Sequence, residues 1–124
     1  MSRLALLIDD SMLIRHTVGR FLEARGFSVE TATDGIAALE ALKIIRPDII
    51  FTDLKMPRLD GYALIDALKS NPETAGIPVL VLAAKPPSED LKITGAHSII
   101  YKDLNVEAQL IRALENLFPS RSQT

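Results

Sequence analysis

Two adjacent carboxylates, Asp9 and Asp10, follow the aliphatic run Leu4–Ile8, and a third, Asp53, follows the apolar run 49–52. Lys102 follows a further run, 98–101. Each charged residue closes a short apolar segment, so a parallel arrangement of the segments would bring all four to one end of one sheet. Three carboxylates at close range repel strongly unless protons or a cation intervene. An all-oxygen donor set with few protein ligands suits Mg2+, which keeps several waters and accepts phosphate oxygens. Asp53 then has the chemistry of a nucleophile, because carboxylates attack phosphoryl groups to form aspartyl phosphates. Lys102 at the same rim would neutralise phosphoryl charge. One at a time, these residues have plainer readings. An Asp after a strand often caps the next helix, a role open to Asp10 or Ser11, and a lone lysine is normally solvated. Independent caps, however, have no reason to gather at one end of one sheet.

The elements that would hold these residues follow from periodicity. Five short runs recur, at 4–8, 28–31, 49–52, 79–82 and 98–101. All but the second are apolar at nearly every position, as strands buried on both faces of a parallel sheet are. Val29 and Thr31 alternate with polar neighbours, which places that run at a sheet edge. Helical patterns fill the gaps. Ile14, Val18, Phe21 and Leu22 follow one helical face, and Gly26 ends the segment. A second helix from about Asp34 carries Ala38, Leu39, Leu42 and Ile45 and should run up to Pro47. A third opens at the N-cap Asp60, with Leu64, Ile65 and Leu68 inward. Between Pro87 and Gly95 only residues 88–94 can be helical, about two turns. The last helix runs from the N-cap Asn105 through Leu110, Ile111 and Leu114 to Phe118. Strands alternating with helices give right-handed βαβ units and an α/β, doubly wound, open parallel five-stranded sheet. Ligands of such sheets bind beyond the carboxyl ends of the strands, where strand order reverses.

Composition narrows the function classes. The 124 residues are 48% hydrophobic and 24% charged, which excludes a disordered or fibrous chain. Fourteen basic against sixteen acidic residues leave a net charge of -2, too balanced for duplex nucleic-acid binding by charge alone. With no cysteine, disulfide scaffolds, thiolate zinc sites and cysteine nucleophiles are excluded. The longest apolar stretch, 77–84, is far short of the ~20 residues a membrane span needs. The expectation is a soluble cytoplasmic single domain over 1–118 with a polar tail at 119–124.

The ordered set of motifs resembles the receiver domain of bacterial two-component response regulators, the CheY-like superfamily. The match rests on Asp9-Asp10 after Leu6-Leu7-Ile8, and on Thr33-Asp34-Gly35 with Ala38-Leu39. It continues through Pro47-Asp48-Ile49-Ile50 leading to Asp53, then Met56-Pro57 and Asp60-Gly61. Ile77-Pro78-Val79, Gly95-Ala96 and Lys102 complete it, so the resemblance covers the chain to Phe118. It implies a flavodoxin-like (βα)5 fold with strand order 2-1-3-4-5. It also implies that Asp53 is the phosphoacceptor and that Lys102 contacts the phosphoryl group. Mg2+ would be held by Asp10, Asp53 and the backbone carbonyl of Lys55, with Asp9 acting through water. The implied partners are a sensor histidine kinase or phosphotransfer protein and an output protein or domain, without nucleic acid or membrane. The resemblance also implies signalling through the face of the fourth helix, fifth strand and fifth helix, a face through which such domains also pair as homodimers.

The chain departs from that family on the face of the fourth helix, fifth strand and fifth helix. Ala83 occupies the position of a Thr or Ser hydroxyl that bonds a phosphoryl oxygen, which leaves the backbone N–H of Ala84 as a donor. A hydrogen bond to a charged acceptor contributes roughly 1.5–3 kcal/mol. Switching a two-state domain from mostly off to mostly on takes ~5.5 kcal/mol, so that donor is a large share. Ile99 stands where the family has a switching aromatic residue, and Asp103 where it has a Pro, so a trans Lys102–Asp103 peptide is expected. The helix expected at 88–94 is also about a turn short. A weakly coupled or phosphorylation-independent interaction module is therefore the alternative reading. A haloacid-dehalogenase-type phosphatase would need an Asp where Lys55 stands, and a nucleotide site would want glycines after Ile8. The domain is thus read as a signalling acceptor and not an enzyme. His16 and His97 lack ligand spacing, and Tyr62 and Tyr101 read as packing residues.

Overall fold

The computed structural model describes residues 3–84, 93–102 and 105–119. In chain order the elements are Leu4–Ile8 (β1), Met12–Ala24 (α1), Ser28–Ala32 (β2), Gly35–Ala41 (α2), Ile49–Asp53 (β3), Gly61–Ser70 (α3), Val79–Ala83 (β4), Ser98–Tyr101 (β5) and Val106–Leu117 (α4). All four strand pairings are parallel, and the sheet order is β2-β1-β3-β4-β5. The expected order is therefore observed, with the alternating strand β2 at one edge.

Alternation along the buried strands builds two cores. Leu7, Phe51, Leu80 and Leu82 point to one face, where they meet Val18 and Leu22 of α1 and Leu110 and Leu114 of α4. Leu6, Ile8, Ile50 and Val81 point to the other, against Ala38 of α2 and Leu64 and Leu68 of α3. Strands covered on both sides need apolar residues at nearly every position, which is why β1, β3 and β4 read as almost continuous runs. The expected caps Asp60 and Asn105 are in place, and Ser11 and Asp34 cap the first two helices: each accepts a backbone N–H three residues on. Gly26, at φ 94°, follows α1 in the left-handed conformation that ends a helix cheaply for glycine alone.

One element differs from expectation. α2 stops at Ala41 instead of continuing toward Pro47. The N–H groups of Lys43 and Ile44 bond the carbonyls of Glu40 and Ala41, three residues back, so the helix tightens into a turn. The Arg46 guanidinium then takes the carbonyls of Leu42 and Ile45, which a continuing helix would have used. Ile45 still packs on the second core, whereas Ile44 is left 86% exposed. Most of the short helix expected at 88–94, the Lys102–Asp103 peptide and the tail beyond Pro119 lie outside the described residues. No described helix is long and apolar enough to cross a membrane.

Candidate functional site

β1 and β3 lie side by side with Ile8 opposite Thr52, so Asp9 and Asp53 leave the sheet as neighbours. Asp9 is completely buried. Its N–H donates to the Ala32 carbonyl at 3.1 Å, and its own carbonyl accepts from Arg15 Nη1 at 2.7 Å. Its Oδ1 accepts the Ser11 N–H at 2.9 Å. Ser11 itself caps α1, accepting the Ile14 N–H at 3.3 Å, so Asp10 is not the cap and stands exposed at the rim. Asp53 is buried at the end of β3, with Oδ1 accepting the Leu54 N–H at 2.8 Å. Asp9, Asp10 and Asp53 each offer a carboxylate oxygen within 4.8 Å of the others. The aspartates of this fold thus serve different ends, since Asp34 and Asp60 cap helices whereas these three converge.

Lys102, just past β5, brings the cation. Its Nζ lies 2.8 Å from Asp9 Oδ2 and 3.2 Å from Asp53 Oδ1. Among the described residues, the buried Asp9 Oδ2 meets no donor other than this ammonium. Burial pushes the Asp53 carboxyl up from its ordinary value, and the charge of Asp9 pushes the same way, against the pull of Lys102. Burial alone would lower Lys102. The hydrogen bond and charge of Asp9, then those of Asp53, outweigh it and raise the ammonium above its ordinary value. One ammonium against three carboxylates leaves the pocket acidic. That excess, a buried Asp9 oxygen that no backbone donor reaches and a purely oxygen donor set together fit a small divalent cation.

The remaining residues singled out above fall around this cluster. Lys55 is exposed in the loop after β3. β4 places Leu82 opposite Asp53, which sets Ala83 beyond it with a buried methyl and no hydroxyl, and exposed Ala84 next. Ile99 is half-buried against the second core. Asp103 lies outside the described residues. His16 and His97 are exposed, and Tyr62 is 51% exposed, so it is not the packing residue expected.

A family model described as the response regulator receiver domain matches residues 5–115. The chain belongs to this family. Among curated relatives, protein PilG of Pseudomonas aeruginosa is 36% identical to this receiver over 118 residues, covering 93% of this chain and 87% of PilG. The gliding motility regulatory protein of Myxococcus xanthus is 40% identical over 90% of this chain, which spans 15% of that longer protein. Among solved structures, the chemotaxis response regulator CheY4 of Vibrio cholerae matches at a TM-score of 0.83 and 29% identity, covering 94% of this chain and 99% of CheY4. The receiver domain of the sensor histidine kinase PA1611 of Pseudomonas aeruginosa, with a magnesium ion in its active site cleft, matches at 0.85 and 24% identity. It covers 97% of this chain and all of that one, and at that identity it speaks for the fold alone.

Two contacts that sequence reasoning missed hold the loop after β3 of this receiver. Gly61 opens α3 against the end of β3, its N–H bonding the Leu54 carbonyl at 2.8 Å. A Cβ there would fall 2.8 Å from Leu54 Cα and closer still to the Asp53 carbonyl oxygen. Gly61→Ala is therefore expected to cost about 2 kcal/mol of stability in denaturant titrations, as overpacking does, and to weaken divalent-ion binding by displacing Asp53. An unchanged midpoint would show that the loop yields.

The second contact is the pair Asp34–Arg58. Arg58 Nε and Nη2 donate to the two carboxylate oxygens of Asp34 at 2.9 and 3.0 Å, and Asp34 also caps α2. Arg58 has a φ of 70°, and the Leu59 N–H closes on the Pro57 carbonyl at 2.8 Å, a tight γ-turn of the strained hand. Asp34 is held below its ordinary 3.8, first by the Arg58 hydrogen bonds and then by the Ala37 N–H. A carboxyl with a depressed folded value contributes stability that is present above 3.8 and lost as pH falls through the lower folded value. Asp34→Asn keeps the cap and loses the charge, so acid unfolding below pH 3.8 should become shallower. Identical acid limbs for variant and parent, measured by circular dichroism, would refute the assignment.

Proposed function

We propose that this receiver takes a phosphoryl group onto Asp53 from the phosphohistidine of a sensor kinase or phosphotransfer protein. The convergence of Asp9, Asp10 and Asp53 within 4.8 Å, with Lys102 bridging two of them, carries this reading. In the transfer, a carboxylate oxygen of Asp53 bonds to phosphorus as the phosphorus–nitrogen bond breaks. The bonding pair stays with the imidazole nitrogen, which then takes a proton. Asp10, Asp53 and the Lys55 carbonyl would hold Mg2+, with Asp9 acting through water. The bound ion would supply charge neutralisation for the phosphoryl oxygens. Lys102 keeps its ammonium beside the acceptor oxygen, where it lowers the charge that an incoming phosphoryl anion meets. The Ala84 N–H adds a donor beyond β4. The domain acts once per phosphoryl group, in the cytoplasm, and signals to an output protein or domain through the face formed by β5, α4 and the segment before β5. Incubation with acetyl phosphate and Mg2+ followed by intact-mass measurement tests it. A single adduct that vanishes in Asp53→Asn is expected; no adduct, or one that survives the substitution, removes the reading.

Ala83 favours a second reading. The buried methyl at the end of β4 gives the phosphoryl group no hydroxyl to pull inward. The chain would then bind its partner with little dependence on phosphorylation. Amide spectra of β5 and α4 that respond fully to phosphorylation would dismiss it.

A further inference from the structure

Lys102 reaches Asp9 and Asp53 from the end of an edge strand. Among the described residues β5 is the last strand of the sheet, with β4 on one side and no strand on the other. Backbone groups along such an edge lack the ladder that holds an interior strand. At the end of β5, however, the edge is closed by a side chain. Gln109, in the first turn of α4, accepts the Tyr101 N–H on Oε1 at 2.9 Å. Its Nε2 donates to the Tyr101 carbonyl, also at 2.9 Å. One acceptor and one donor to the same residue are what a neighbouring strand would provide. Gln109 is tied in turn to the helix start, since its N–H and Nε2 both donate to the Asn105 carbonyl, at 3.2 and 3.3 Å. On the opposite side of the strand, the Lys102 N–H donates to the Ala83 carbonyl at 2.7 Å. The peptide unit joining Tyr101 to Lys102 is thus gripped at its C=O by α4 and at its N–H by β4.

We propose that Gln109 is a positioning residue: its amide fixes the peptide plane from which Lys102 departs, and through it the ammonium that bridges Asp9 and Asp53. The kinetic consequence rests on the phosphoacceptor reading of Asp53, whereas the geometric one does not. The same contact ties the first turn of α4 to the acidic cluster. A phosphoryl group that drew the ammonium away from Asp9 would pull on the peptide and, through Gln109, on the helix.

Gln109→Met keeps side-chain length and helix propensity and removes both hydrogen bonds. In the metal-free protein the Tyr101 amide should exchange with solvent about tenfold faster, as a released edge does. Phosphate uptake from acetyl phosphate with Mg2+ should slow about tenfold in the parent background and less than about twofold in Lys102→Met, the signature of two residues acting through one group. Gln109→Glu keeps the acceptor for the Tyr101 N–H but cannot donate to its carbonyl, so its uptake rate should fall between. It also serves if the Met variant folds poorly. An equal slowing in both backgrounds would mean a purely structural role and would overturn the proposal. So would a crystal structure of Gln109→Met in which Lys102 keeps both carboxylate contacts. If the parent takes up no phosphate, the phosphoacceptor reading fails, and the Lys102 contacts in that crystal structure then decide on Gln109.

Discussion

Asp53→Asn is expected to abolish phosphate uptake and yet to unfold at a higher temperature than the parent in metal-free buffer. The gain comes from removing a charge that the fold holds at a cost. Burial and the Asp9 charge together push the Asp53 carboxyl above its ordinary 3.8, so the folded state binds a proton there more tightly than the unfolded chain does. Such a group supports the fold at acid pH, and that support is lost as pH rises from 3.8 through the raised value. Once the carboxyl is ionised the whole penalty is present, and an uncharged amide of the same shape avoids it. A gain on the order of 1 kcal/mol is expected, the usual size when a functional constraint is released. Millimolar Mg2+ should narrow or reverse the difference, because ligand that binds only the folded parent stabilises it by mass action. An Asn variant less stable than the parent without metal would mean that the Lys102 contact outweighs burial and repulsion.

Lys102→Met is expected to act in the opposite direction and more strongly. It leaves Asp9, with no exposure, and Asp53, with a side chain 12% exposed, facing each other without their shared cation. Breaking a buried pair by removing one partner costs roughly 3–5 kcal/mol, because the remaining charge is desolvated and unanswered. Denaturant titration of the metal-free protein reads this directly. A cost below about 1 kcal/mol would class the contact with exposed ion pairs, which contribute little. The variant should also gain more from Mg2+ than the parent does, since the ion would then be the only counter-charge in the cluster.

Much of this architecture is written along the chain. Burial on two faces keeps β1, β3 and β4 apolar at nearly every position, so their limits stand out, and a carboxylate where such a run ends is noticeable. Asp9 and Asp53 are such residues, and the observed pairing of β1 with β3 makes them neighbours. Capping chemistry is equally local, and Ser11, Asp34, Asp60 and Asn105 all cap as their types suggest. The end of α2 was less legible. Its apolar spacing continues to Ile45, but a competing turn and the Arg46 side chain take the carbonyls that further helix would need.

Local chemistry, acting within a turn or along one strand, set the strands, the caps and the identity of the acidic cluster for this protein. What the fold alone decided lies between segments distant in sequence. Asp34 meets Arg58 because α2 packs beside the loop after β3, and Gly61 must lack a side chain because the backbone of Asp53 and Leu54 passes against it. Gln109 shows the limit most clearly. A polar residue beside the buried Leu110 is ordinary in an amphipathic helix and marks nothing in the sequence; its partner is the edge of β5, and only the docking of α4 brings the two together. Periodicity reports which face of an element is buried. It carries no record of which atoms meet there, because that depends on register and docking settled by the whole chain at once.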